Sequence, residues 1–252
     1  MGHERVGQLP RTTRWRELVA RTGLARSRGD VERISADTLD AVRGRLGALG
    51  REGGTLAAFG FLVDLACTNR DSGGTTPDLR ANPSALQLVS ALKERVDADA
   101  DSREYAELAT RAAATAIMQW TREHEQRLDL FEGPASAQQV WSRAQTGAGF
   151  SELARTFLGD LVGRYLKYFL EREVSERSSG VAQRERFVRQ LSEHVDAIAQ
   201  HSFETSKIAQ SFAAGWYNKH AKEGAPSAQA QRAFLRYALT KLRNELVRER
   251  DA

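Results

Sequence analysis

The sequence predicts an all-α fold, an elongated assembly of about nine helices in two lobes, and three observations carry that expectation. Apolar residues recur every three or four positions along nearly the whole chain, and no segment alternates as a half-buried strand does. Only five prolines interrupt 252 residues. Ala, Leu, Arg, Glu and Gln are abundant, and their side chains lose little freedom in a helix.

The first helix is expected over about 12–26, with Trp15, Leu18, Val19 and Leu24 on its apolar face and "SRGD" as the breaker after it. Ser35 is a good N-cap for a second helix that carries Leu39, Val42, Leu46 and Leu49 to the glycines at 50, 53 and 54. "TLAAFGFLVDLAC", 55–67, is apolar almost all round, which marks a central buried helix. A long loop signal at 69–83 precedes Ser84, the cap of a helix through Leu88, Leu92 and Val96. Asp101 and Glu104 stand at capping-box spacing before a long helix to about 131, and Ser136 with Gln139 opens a shorter one.

"TGAGFS", 146–151, is the expected boundary between an N-terminal lobe, 1–148, and a C-terminal lobe, 149–252. Beyond it, Phe157/Leu158, Leu161/Val162, Tyr165/Leu166 and Phe169/Leu170 form a broad apolar face, while Gly159 and Gly163, one turn apart, admit a close helix neighbour. Phe187, Leu191, Val195, Ile198, Ile208, Phe212 and Trp216 keep one face over 182–222. Ser202, Thr205 and Ser206 at its middle imply a kink or a close crossing. Gly224 and Pro226 end this segment, and Ser227 caps a basic last helix to about 250.

Composition excludes several classes of function. No stretch approaches the roughly 18 apolar residues of a membrane span, and "MGHERVGQLPRTTRW" has no apolar leader, so a cytoplasmic protein without membrane contact is expected. A single cysteine, Cys67, cannot form an internal disulfide. The net charge of +4 is uneven: residues 1–30 carry +4, residues 31–150 carry −4, and residues 151–252 carry +4. Basic ends suit an acidic partner or nucleic acid.

Those ends supply the candidate contact residues. Arg11, Arg14, Arg16 and Arg21 surround Trp15 near the N-terminus. Tyr217, Lys219 and Lys222 follow Trp216, whose register with Phe212 assigns its indole to the core; Lys219, His220 and Lys222 suit a helix C-terminus, where cations favour the dipole. Arg232, Arg236, Arg243 and Arg250 share one stripe of the last helix, beside the apolar edge of Leu235, Leu239, Leu242 and Leu246. Such a stripe can follow a phosphate backbone, or its stems can cover the core.

Chemistry-bearing motifs are sparse. His3, His124, His194, His201 and His220 form no HExxH or HxH, and no metal or cofactor is expected. "DADADSRE", 97–104, imitates the start of a calcium loop, but Ser102 and Leu108 occupy the positions that require glycine and glutamate. "GREGGT", 50–55, lacks the lysine of a phosphate-binding loop and reads as a turn. Cys67 ends an apolar helix and reads as a buried thiol.

The segments "FLGDLVGRYLKYFLEREV", "FAAGWYNKH" and "RYALTKLRNEL" give residues 150–250 a resemblance to uncharacterised all-helical bacterial proteins of multi-gene operons, of the phage-defence type. The resemblance implies a subunit that works with other gene products and carries over no functional residue. The leading expectation is therefore a non-enzymatic helical subunit or adaptor of a bacterial multiprotein complex, with other protein subunits or a second copy as partners. Direct nucleic-acid binding through the terminal arginines is the alternative. A helical enzyme with Glu193, His194, His201 and Glu204 around one cavity is the third reading.

Overall fold

The computed structural model describes residues 13–22, 28–41, 43–67, 76–132, 136–177, 197, 200–221 and 224–251. Among them are ten α-helices, a further helical stretch at 200–205 and two 3-10 turns, with no strand. The helices are α1 (Thr13–Thr22), α2 (Arg28–Ala41), α3 (Arg43–Leu49), α4 (Gly53–Cys67), α5 (Ala85–Asp99), α6 (Arg103–Glu132), α7 (Ala137–Ser142), α8 (Gly147–Arg177), α9 (Lys207–His220) and α10 (Ala228–Asp251).

Helix α4 is the centre, as its uniform apolarity predicts: every residue except Gly53 and Leu56 is buried. It packs against α5, α6, α8 and α10, so no side of it needs a polar face. Phe59 lies among Phe150 and Phe157 of α8, Trp216 of α9 and Phe234 of α10, with ring centroids 5.0–6.2 Å apart. Each such pair adds about 0.5–1.5 kcal/mol beyond the area it buries. Trp216 is thus in the core.

Both chain segments contribute to this interior. The buried cluster runs from Trp15 and Leu18 in α1 to Leu239 and Leu242 in α10, and α10 packs against α2 as well as α4. The boundary expected at 148–149 falls in the first turn of α8, which packs on α6 and α9 alike. Residues on either side of it share one core.

The corner before α4 departs from expectation. Asp101, at capping-box spacing for α6, instead caps α4: its Oδ2 accepts a hydrogen bond from Gly53 N at 2.8 Å. Glu52 is buried and accepts from Gly54 N, Thr55 N and the Thr55 hydroxyl, and also from Asp101 N and Ser102 N, at 2.6–3.3 Å. One carboxylate therefore satisfies the unpaired amides of a helix N-terminus and those of the α5–α6 corner together. The glycines make this approach possible. A Cβ on Gly53 would lie 2.0 Å from Asp99 O, and one on Gly54 2.8 Å from Ala106 Cβ.

Ser35 is not a cap. It sits inside α2, which begins at Arg28 with Asp30 in its first turn, so "RGD" of the expected breaker is helical. The expected caps at Ser84 and Ser136 do form, each as a reciprocal box with the glutamine three residues on. Ser227 Oγ accepts from Ala230 N at 3.3 Å and starts α10.

The serine-rich middle of the long C-terminal segment is both a turn and a crossing. Residues 200–205 are helical, Ser206 is a turn and α9 follows. The Ser206 hydroxyl donates to Phe203 O at 2.5 Å and lies 3.2 Å from Arg155 O of α8. Gly159 of α8 faces this point, where a Cβ would stand 2.9 Å from Phe203 Cα. The segment 182–196 lies outside the described residues.

Candidate anion-binding groove

The start of α10 and the turn between α3 and α4 enclose a groove of about 510 Å³, lined by Gly50, Arg51, Gln229, Arg232, Ala233 and Arg236. Its geometry follows from packing on the opposite face of α10. Leu235, Leu239 and Leu242 are buried, with Leu239 Cδ1 3.0 Å from the Cβ position of Gly50, and this contact places Arg232 and Arg236 along the edge nearest the turn. Arg51 projects from the other side.

All three arginines are exposed, and none has a carboxylate partner among the described residues. Gln229 lies in the first turn of α10, whose N-terminus adds partial positive charge. The small residues Gly50 and Ala233 also line the groove. Three guanidinium forks beside a helix N-terminus, with no acid among the described lining residues, offer the chemistry that suits an oxyanion.

The expected arginine stripe is only partly realised. Arg232 and Arg236 line the groove, but Arg243 turns to Asn244 Oδ1, with its nitrogens at 2.5 and 3.1 Å. Arg248 pairs with Glu245. The side chain of Arg250 lies outside the described residues. Among the described residues of α10, Arg232 and Arg236 are thus the arginines without a side-chain partner. Outside the groove lining, Tyr237 of α10 is 44% exposed, with its ring 4.3 Å from Phe212 and Lys241 Nζ 5.5 Å from its centroid.

Tyr217 is a correction. It is buried, stacks on Phe150 at 4.7 Å and donates its hydroxyl to Ala66 O at 2.6 Å, so it belongs to the core and not to a contact surface. Lys219 is exposed in the last turn of α9 with His220, and Lys222 lies outside the described residues. Among the N-terminal candidates, Arg16 is exposed and Arg21 is tied to Asp37 of α2 at 2.6 Å. Arg11 and the side chain of Arg14 lie outside the described residues. Arg51 was missed by sequence reasoning, although it stands in "GREGGT".

The remaining candidates serve the fold. Cys67 is buried with its Sγ 3.9 Å from the Tyr217 hydroxyl. His124 stacks on Trp120 at 3.8 Å and bonds the Trp120 carbonyl through Nδ1. His201 is buried, and Glu204 accepts from Gln200 at 3.4 Å; Glu193 and His194 lie outside the described residues. Asp97 pairs with Lys93, and among the described residues no three His, Cys, Asp or Glu are grouped to hold a metal. The amides of "GREGGT" that a phosphate would need are taken by Glu52 and Asp101. No helix among the described residues is long and apolar enough to cross a membrane. Comparisons with protein-family models, with curated proteins and with solved structures find no match to this chain.

Proposed function

We propose that the chain is a non-enzymatic helical subunit or adaptor of a bacterial multiprotein complex, of the phage-defence type, and that it meets its partner through the outer face of α10. The observation that carries this reading is Tyr237. It is a large aromatic left 44% exposed, yet held in place by Phe212 and Lys241. Aromatic and arginine side chains of this kind dominate the energetics of protein interfaces, because a fixed ring loses little entropy on docking. The partner is another protein subunit or a second copy of this chain.

The test is co-purification from the native host with and without nuclease, followed by size-exclusion chromatography of the recovered complex. The expected result is a stoichiometric protein assembly that survives nuclease and dissociates with Tyr237→Ala. Hydrolysis of nucleotide or nucleic acid by the purified chain, lost on a single internal substitution, would sink the reading.

A second reading is nucleic-acid binding, favoured by the unpaired Arg51, Arg232 and Arg236. It requires affinity that falls steeply with salt, in proportion to the phosphates neutralised.

A further inference from the structure

We infer that the groove between α10 and the α3–α4 turn is a receptor for a compact phosphate-bearing ligand, held by Arg51, Arg232 and Arg236. The inference stands apart from the adaptor reading, since Tyr237, Phe212 and Lys241 do not line the groove.

Charge sets the class of ligand. Three arginines and the first turn of α10 line one concavity, with no acidic side chain among the described residues that line it. A lone carboxylate would leave most of this charge unmatched, whereas a phosphate monoester carries about −1.5 to −2 at pH 7 and three acceptor oxygens. Arginine forks fit those oxygens in pairs.

Shape sets its size. The volume of about 510 Å³ lies inside the range of roughly 300–1,000 Å³ of small-ligand sites. Farther along α10, Arg243 is turned to Asn244 and Arg248 to Glu245, whereas Arg232 and Arg236 have no side-chain partner among the described residues. Arg232 and Arg236 are four residues apart, about 6 Å along the helix. Arg51 of the α3–α4 turn lines the same groove, and the small residues Gly50 and Ala233 leave room in it for a ligand body.

The experiment is calorimetric titration of the full chain with sodium tripolyphosphate, with ATP and with a single-stranded oligonucleotide at 50 and 150 mM salt. Saturable one-to-one binding of tripolyphosphate is expected, weakened at least tenfold by Arg51→Gln and by Arg232→Gln with Arg236→Gln. Arg51→Lys should fall between, because it keeps the charge and loses the fork. Tyr237→Ala and Arg80→Gln, at residues that do not line the groove, should leave affinity unchanged. ATP bound tenfold more tightly than tripolyphosphate identifies a nucleotide as the source, and equal affinities identify the phosphate chain as all that is read; either supports the inference. Three results would overturn it: no saturable binding, equal weakening by Arg80→Gln, or an oligonucleotide bound more tightly than both small ligands with a steep salt slope. None of the three bears on whether Tyr237→Ala dissociates the protein assembly.

Discussion

The two faces of α10 obey different rules although they alternate along the same 24 residues. On the inner face Phe234, Leu235, Ala238, Leu239 and Leu242 are almost fully buried, and each is placed by several neighbours at once. On the outer face Arg232, Arg236, Tyr237 and Lys241 are exposed, and their identity matters little to the interior. Stability should therefore depend on the first set and recognition on the second. The boundary between them is the Gly50 turn, where Leu239 packs on one side and the arginine groove opens on the other.

The largest expected effect tests the inner face. Phe59→Ala removes the ring on which Phe234 stacks at 5.0 Å and 6°, and should cost about 3–5 kcal/mol in urea unfolding. A cost below about 1 kcal/mol would mean that the aromatic centre is loosely packed. Next comes Glu52→Ala, which strips acceptors from buried amides of two corners; about 2–3 kcal/mol is expected in the same assay, with little recovered by Glu52→Gln because an amide offers one acceptor oxygen in place of two. On the outer face, Arg232→Gln with Arg236→Gln should change stability by no more than about 0.5 kcal/mol. A larger loss would show that these arginine stems cover the core and would erase the contrast.

The smallest effect concerns Lys93, whose hydrogen bond to Asp97 raises its pKa above the usual 10.5. A raised pKa means that the stabilisation is complete below the unfolded value and disappears as pH rises through the folded one. Lys93→Ala should leave the unfolding midpoint at pH 7 within error, and any difference from the parent should close above pH 10.5, as a solvent-exposed pair requires.

Most of the fold was legible in the sequence because burial leaves a periodic mark. The all-round apolarity of α4 predicted its central place, and the Ser84 and Ser136 boxes predicted two helix starts. Alanine leaves a weaker mark. On α9 the buried stripe is Ala209, Ala213, Trp216, Tyr217 and Ala221, while Phe212 is only partly buried, so a stripe drawn through the largest side chains misplaced Tyr217. Capping signals failed for another reason: Asp101 has the same local appearance whether it reaches α6 or, 48 residues back in the chain, Gly53 of α4. The groove was the least legible feature. Arg51 and Arg236 are distant in sequence and meet only because Leu239 docks at Gly50.

The Glu52 clamp has a kinetic consequence. Its carboxylate joins amides two and three residues away to others 49 and 50 residues away, and the latter can bond only after α4, α5 and α6 have been brought together. Contacts that close so long a loop form late on the way to the native state. Glu52→Ala should thus leave the refolding rate nearly unchanged and accelerate unfolding, which makes this buried acid a latch on the lifetime of the native fold.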